Sequence, residues 1–254
     1  MPDTTPWINA VQHSHERFVD LVRPLSAGEV EKQSYNSEWS IAQTASHLGS
    51  QAEIFGLFLD AGLSGKSAPG GDVFGPIWDR WNALSPAQQV AQSIQSNEAF
   101  VTRLTQTSPD ERANFSLSMF GTDQDLAGLA ALRLGEHAVH TWDIAVALDP
   151  AATVSADAVE LLIDRLPQTA ARSGKAVEDI GQLTVETIAP DRTFLLTVNP
   201  DVSLEPTDNA AADALKLPAE ALLRLVYGRL DQDHTPAEAA DPRLPALRKV
   251  FPGF

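Results

Sequence analysis

The chain has 254 residues and 43% hydrophobic content, enough apolar material to bury the core of one large domain or two smaller ones. Its 34 acidic residues outnumber 18 basic ones, for a formal net charge of -16, and no basic run interrupts them; that balance argues against nucleic acid and anionic membrane surfaces as partners. There is no cysteine, which removes disulfides, thiolate-ligated zinc and a cysteine nucleophile together, so any thiol chemistry needs a thiol brought by a substrate or cosubstrate.

The first half reads as long helices. Residues 7–23 carry Trp7, Val11, Phe18, Leu21 and Val22 at helical spacing, with Pro24 as the limit. Ser40 fits an N-cap for a helix from Ile41 to about Ala61, before Gly62. Residues 63–72 have loop composition, and a short helix is expected around Ile77–Trp81. Ser85-Pro86 opens a helix to about Leu104. The stretch 108–122 reads as irregular, and about Asp125 to Leu148 as strongly helical. Four principal helices joined by loops make a bundle.

The pattern changes at Asp149-Pro150. A helix near 155–171 precedes two strands, Gln182–Ile188 and Thr193–Val198, around the turn Ala189-Pro190-Asp191. A strand near Val202–Pro206 and helical spacing over Pro218–Leu230 follow, then a Pro- and Asp-rich tail from Asp231. The expected fold is mainly α: a four-helix bundle over 1–150 and a smaller α+β domain over 151–254. No apolar run approaches the roughly 18–20 residues that cross a bilayer, and the first residues lack the basic start and apolar stretch of a secretion signal. A soluble cytoplasmic protein is expected.

The helix at 125–148 holds the chemistry. Among its leucines, valines and alanines runs a polar row, Arg133, Glu136, His140 and Asp143, spaced by three or four and so on one face. Buried polar groups need partners. Glu136 and His140, at i and i+4, can present a carboxylate oxygen and an imidazole nitrogen to one point. The helix at 41–61 carries a complementary row, Thr44, His47 and Gln51, from which His47 can supply a third ligand. Two imidazoles and one carboxylate suit a catalytic zinc with an open fourth position; nickel, iron and manganese accept the same donors. The competing reading is structural, with Arg133 neutralising Glu136 at i+3. His137 projects about 100° from Glu136 and reads as packing or support for the site. His13 and His15 read as solvent-exposed, His234 as part of the polar tail, and Trp39 and Trp142 as core. Phosphate-loop, dinucleotide-loop, nucleophile-elbow and H-E-x-x-H motifs are absent.

EWSIAQTASHLGS (38–50), RLGEHAVHTWDIAVAL (133–148), LLRLVYGRL (222–230) and the terminal VFPGF together resemble the mycothiol-dependent maleylpyruvate isomerase family of the DinB-like metalloproteins. The resemblance spans nearly the whole chain. It implies a metal triad of His47, Glu136 and His140, with Asp143 supporting the last histidine. It also implies an active-site arginine from the C-terminal domain, with Arg229 favoured for catalysis and Arg224 as the rival, assigned to the cosubstrate. The implied chemistry uses mycothiol, held as a thiolate by a divalent metal, either to isomerise a cis alkene or to be transferred to a small electrophile. The C-terminal domain would then wall the metal site. The alternatives are a metal-dependent hydrolase or lyase that activates water, and a non-enzymatic ligand-binding protein that keeps the fold.

Overall fold

The computed structural model describes residues 3–36, 38–119, 121–178 and 180–253; Phe254, which ends the VFPGF motif, lies outside the described residues. The chain divides into two compact units, Met1–Ala152 and Thr153–Phe254.

The first unit is built on four long helices: α1 (Thr5–Val22), α3 (Ile41–Leu63), α5 (Pro86–Thr105) and α7 (Leu126–Leu148). Between them lie the shorter α2 (Ala27–Val30), α4 (Phe74–Asn82) and α6 (Pro109–Asn114), and a hairpin of β1 (Leu117–Met119) and β2 (Thr122–Gln124). The long helices close a ring, in which α1 packs on α5 and α7, and α3 packs on the same two. Phe18, Val22, Ile41, Ala45, Leu48 and Ile144 meet in the middle. Local chemistry sets where these helices begin. Ser40 accepts from the Gln43 amide while the Gln43 side chain accepts from the Ser40 amide, a reciprocal cap that starts α3 two turns before His47. Asp125 caps α7 through the Gly128 amide at 2.7 Å.

Two expectations need correction here. Gly62 does not stop α3, which runs on to Leu63. A Cβ at Gly62 would lie 2.3 Å from the Phe115 ring, so the glycine serves close packing. The stretch 108–122 is not irregular: Ser108 and Glu111 form a capping box for α6, and Leu117, Ser118 and Met119 pair antiparallel with Gln124, Asp123 and Thr122.

The second unit stacks helices on one face of a four-stranded sheet. Its elements are α8 (Ala156–Leu162), α9 (Leu166–Ser173), β3 (Gln182–Ile188), β4 (Arg192–Thr197), β5 (Ser203–Pro206), β6 (Leu215–Pro218), α10 (Ala219–Val226) and α11 (Leu244–Val250). Strand order is β5-β4-β3-β6, antiparallel except for the β3–β6 pair. Register places Val185 beside both Phe194 and Leu215, and Leu196 beside Leu204, so one face is apolar and buried. The helix expected over 155–171 is broken by a 3-10 turn at Ile163–Arg165, because Pro167 sits in the first turn of α9. Strand β6 and helix α11 were not expected. Leu-Lys-Leu-Pro is too short to signal a strand and forms one by pairing with β3. Among the described residues no helix is long and apolar enough to cross a membrane.

Candidate metal centre

Helices α3 and α7 bring His47, Glu136 and His140 together, with one possible ligand atom from each lying within 4.8 Å of the others. His47 Nε2 is 3.4 Å from Glu136 Oε2, and His140 Nε2 is 3.8 Å from the same oxygen. The first is a long hydrogen bond and the second lies beyond hydrogen-bond range, so the three donors converge with only one weak bond among them. Atoms about 2.0–2.2 Å from a common zinc would be separated by similar distances, and two imidazoles with one carboxylate are a donor set that zinc accepts, so the residues fit a divalent cation.

The surroundings prepare each donor. Asp143, fully buried, lies with Oδ2 2.8 Å from His140 Nδ1, which leaves Nε2 of that ring to face the cluster. Burial holds the His47 imidazole below its ordinary pKa, outweighing the Glu136 contact that favours its charged form. The ring is therefore neutral at neutral pH, as ligation requires. Burial alone would raise the Glu136 pKa, but the His47 hydrogen bond, the imidazoles of His140 and His47 once protonated in acid, and the Arg133 charge bring it down to about 2. The Glu136 side chain stays 40% exposed, so the cluster is reachable from solvent.

Other residues lie where sequence reasoning did not put them. Trp39, expected in the core, is half-buried, with its ring centroid 5.0 Å from that of His47 and 6.0 Å from that of His140. Trp142 is core, donating Nε1–H to the Ala152 carbonyl. His15, expected to face solvent, is buried with its ring edge-on to His137, whereas His13 is exposed. The spacing contained that signal, since position 15 falls between Val11 and Phe18 on the buried stripe of α1. His137 is fully enclosed, and Ser14 Oγ lies 2.8 Å from its Nδ1; burial and the nearby Arg133 charge push it well below the ordinary histidine pKa. Arg133 makes no ion pair with Glu136 in the structure. It donates from Nη2 to the Leu48 carbonyl and to Asn97 Oδ1. Asn97 was missed, although Gln89, Ser93 and Asn97 form a buried polar row at four-residue spacing on α5.

In the second unit, Arg224 is buried, forks onto Glu220 at 2.7 and 3.0 Å, and donates from Nη1 to the carbonyls of Arg229 and His234. Arg229 is half-buried in the turn after α10 and donates to the Tyr227 carbonyl at 2.8 Å. Gly228 makes this turn, with φ +72, and a Cβ there would lie 2.4 Å from the Gly253 backbone. His234 is within 2.8 Å of Asp231. A cleft of about 750 Å³ on the sheet, lined by Glu186, Asp191, Arg192 and Lys216 among others, contains none of the expected site residues.

Residues 11–145 match the mycothiol maleylpyruvate isomerase N-terminal domain family, a match over more than half of the chain that includes His47, Glu136, His140 and Asp143. The chain belongs to this family. Two crystal structures of the mycothiol-dependent maleylpyruvate isomerase, one of them a histidine-to-alanine variant, superpose with a TM-score of 0.65 over 90% of each chain, at 13% and 12% identity respectively. At that identity the likeness establishes the fold, a DinB-like four-helix bundle with a smaller α+β unit. YfiT from Bacillus subtilis, described as a probable metal-dependent hydrolase with an unusual four-helix bundle topology, matches 57% of this chain at 12% identity and a TM-score of 0.45. No curated protein matches the chain in sequence.

Proposed function

We propose that this member of the maleylpyruvate isomerase family is a metal-dependent enzyme that takes mycothiol as cosubstrate, with His47, Glu136 and His140 holding a divalent metal, zinc by preference. The observation that carries this reading is the convergence of those three donors within 4.8 Å in the domain that defines the family. A divalent cation in such a site supplies Lewis acidity that keeps a thiol deprotonated at neutral pH. The chain has no cysteine of its own, in keeping with a nucleophile borrowed from a cosubstrate. The reaction is cis–trans isomerisation of a maleylpyruvate-like substrate or transfer of the thiol to a small electrophile.

The protein's own groups orient and neutralise. Asp143 fixes the His140 ring, burial keeps His47 neutral, and Trp39 supplies an apolar wall beside both imidazoles. We assign Arg229 to the anionic group of the electrophile, as the guanidinium in the turn after α10. Arg224 supports that turn through the Arg229 carbonyl, at 3.3 Å, and through it the cosubstrate subsite. The unit from Thr153 onward acts as the family's second, α+β domain, and a reducing cytoplasm would keep the cosubstrate a thiol.

The test is titration of the cobalt-substituted protein with mycothiol. A sulfur-to-cobalt charge-transfer band supports the assignment. Its absence at saturating mycothiol overturns the thiol reading and leaves the water-activating hydrolase. His47→Ala, Glu136→Gln and His140→Ala should each lose metal while the helical bundle persists. Full metal retention in all three would remove the site.

A further inference from the structure

Arg133 has no exposed surface and lies one turn before Glu136 on α7. A guanidinium at this depth ordinarily meets a carboxylate, since an uncompensated buried charge is costly. Here its partners are neutral. Nη2 donates to the Leu48 carbonyl at 3.0 Å and to the side-chain oxygen of Asn97. The rings of Phe55 and Phe100 lie 5.6 and 5.8 Å from its central carbon, at cation–π range. Among the described residues, Nε and Nη1 have no hydrogen-bond partner, and Glu136 turns its carboxylate to the histidines.

We infer that Arg133 is a positioning residue for the metal centre: a clamp that sets the turn of α3 bearing His47 against the turn of α7 bearing Glu136. This rests on the metal reading of that cluster. Leu48 is the residue after His47, so the Arg133–Leu48 bond joins the two ligand-bearing helices directly beside the ligands. Asn97 and Phe100 add α5 to the same grip. Metal sites lose affinity when ligand positions drift by even about an ångström, so a rigid tie between the two helices has a defined use. Neutral partners also matter. A carboxylate clamp would place a second anion beside Glu136, whereas an amide and a carbonyl leave Glu136 as the only anion of the triad.

The alternative is plain electrostatics, and it predicts the opposite sign. A fixed positive charge near a cation site opposes the cation, so removing it should tighten binding. Zinc affinity of the full-length protein, measured by competition with a chromophoric chelator, separates the two. Arg133→Met is expected to weaken zinc about 10–100-fold, the usual cost of losing a group that supports a ligand. Arg133→Lys keeps the charge but loses the planar guanidinium that carries Nη2 to Leu48 and Asn97 between the two phenyl rings, and should weaken it in the same direction. Metal-free stability in urea should hold, because replacing a buried charge with an apolar side chain of similar size is often neutral or stabilising. The double variant R133M/N97L leaves no orphaned amide, and carries the test if the single variant does not fold. The cobalt-loaded variants should also show altered d–d bands, reporting a changed ligand geometry.

Unchanged or tighter zinc binding in Arg133→Met or the double variant overturns the clamp. So does a lower urea midpoint with an unaltered cobalt spectrum, which marks a purely structural arginine. Failure of the unsubstituted protein to bind zinc or cobalt at all overturns the metal reading beneath the clamp, and is distinguishable because it appears before any substitution is made.

Discussion

Replacing Asp143 with asparagine tests how the proposed metal centre is built. The Asp143 carboxylate is fully buried and lies 2.8 Å from His140 Nδ1, on the far side of the ring from the cluster. Asparagine keeps the size and an acceptor oxygen but loses the charge. A hydrogen bond to an ionised group contributes roughly 1.5–3 kcal/mol and a neutral one roughly 0.5–1.5, so the ring loses about 1–1.5 kcal/mol of restraint. At about 1.4 kcal/mol per tenfold, zinc affinity should fall about 5–12-fold. Asp143→Ala removes the acceptor and should cost about 10–100-fold. A flipped amide in Asp143→Asn would present its NH2 to Nδ1 and favour the tautomer with a proton on Nε2, adding to the loss. The assay is chelator competition on metal-free protein at neutral pH, with urea unfolding of the same samples to separate folding from ligation. An Asp143→Asn affinity within about twofold of the parent would refute the inference that this carboxylate sets the His140 ring.

Four further outcomes follow from the same coordinates. Gly49→Ala places a Cβ 2.3 Å from the Trp81 ring and 2.9 Å from the Ser93 backbone, so thermal unfolding should show a loss of roughly 1–3 kcal/mol by overpacking. Trp39 lies beside both imidazoles, so cobalt should quench tryptophan emission in the parent, and Trp39→Phe should remove most of that change. Arg224→Ala strips a buried ion pair and leaves the Glu220 carboxylate without its cation, which should destabilise the protein by roughly 3–5 kcal/mol in urea. Burial holds His15 and His137 below the ordinary histidine pKa, so the native chain keeps them neutral where the unfolded chain takes up protons. Stability of the metal-free protein is therefore full above about pH 6.5 and declines below it, by up to about 1.4 kcal/mol per pH unit for each histidine. His137→Gln should remove one histidine's share of that slope in urea titrations across this range, and an unchanged slope would count against the assignment.

The long helices were legible in the sequence because each advertises itself locally. Ser40 with Gln43, Ser85 with Gln88, and Asp125 before an apolar run are starts that need no tertiary partner to read. The same signature at Ser108-Pro109 with Glu111 stands without a helical period to support it, because α6 is only six residues long. Strand β6 was invisible for a different reason. Its four residues are a strand because β3 offers them hydrogen bonds in parallel register, and that pairing spans thirty residues of chain.

The site divides along the same line. Glu136 and His140 share one helix face, and polar residues in so apolar a helix demand an explanation, so sequence alone determined that they were candidates. The i, i+4 geometry of a helix is a local rule, and the polar row Thr44, His47 and Gln51 on the facing helix extended it to His47, which the family motifs then matched. Only the folded bundle decided what stands around them: Trp39 beside the imidazoles instead of in the core, His15 buried beside His137, and Arg133 gripping Leu48 and Asn97 instead of Glu136. The His15 and Arg133 contacts join α1, α3, α5 and α7 across separations of 36 to 122 residues. A helical period states which face a residue occupies and is silent on which neighbour covers that face; packing decides the neighbour, and the neighbours decide how these polar groups are used.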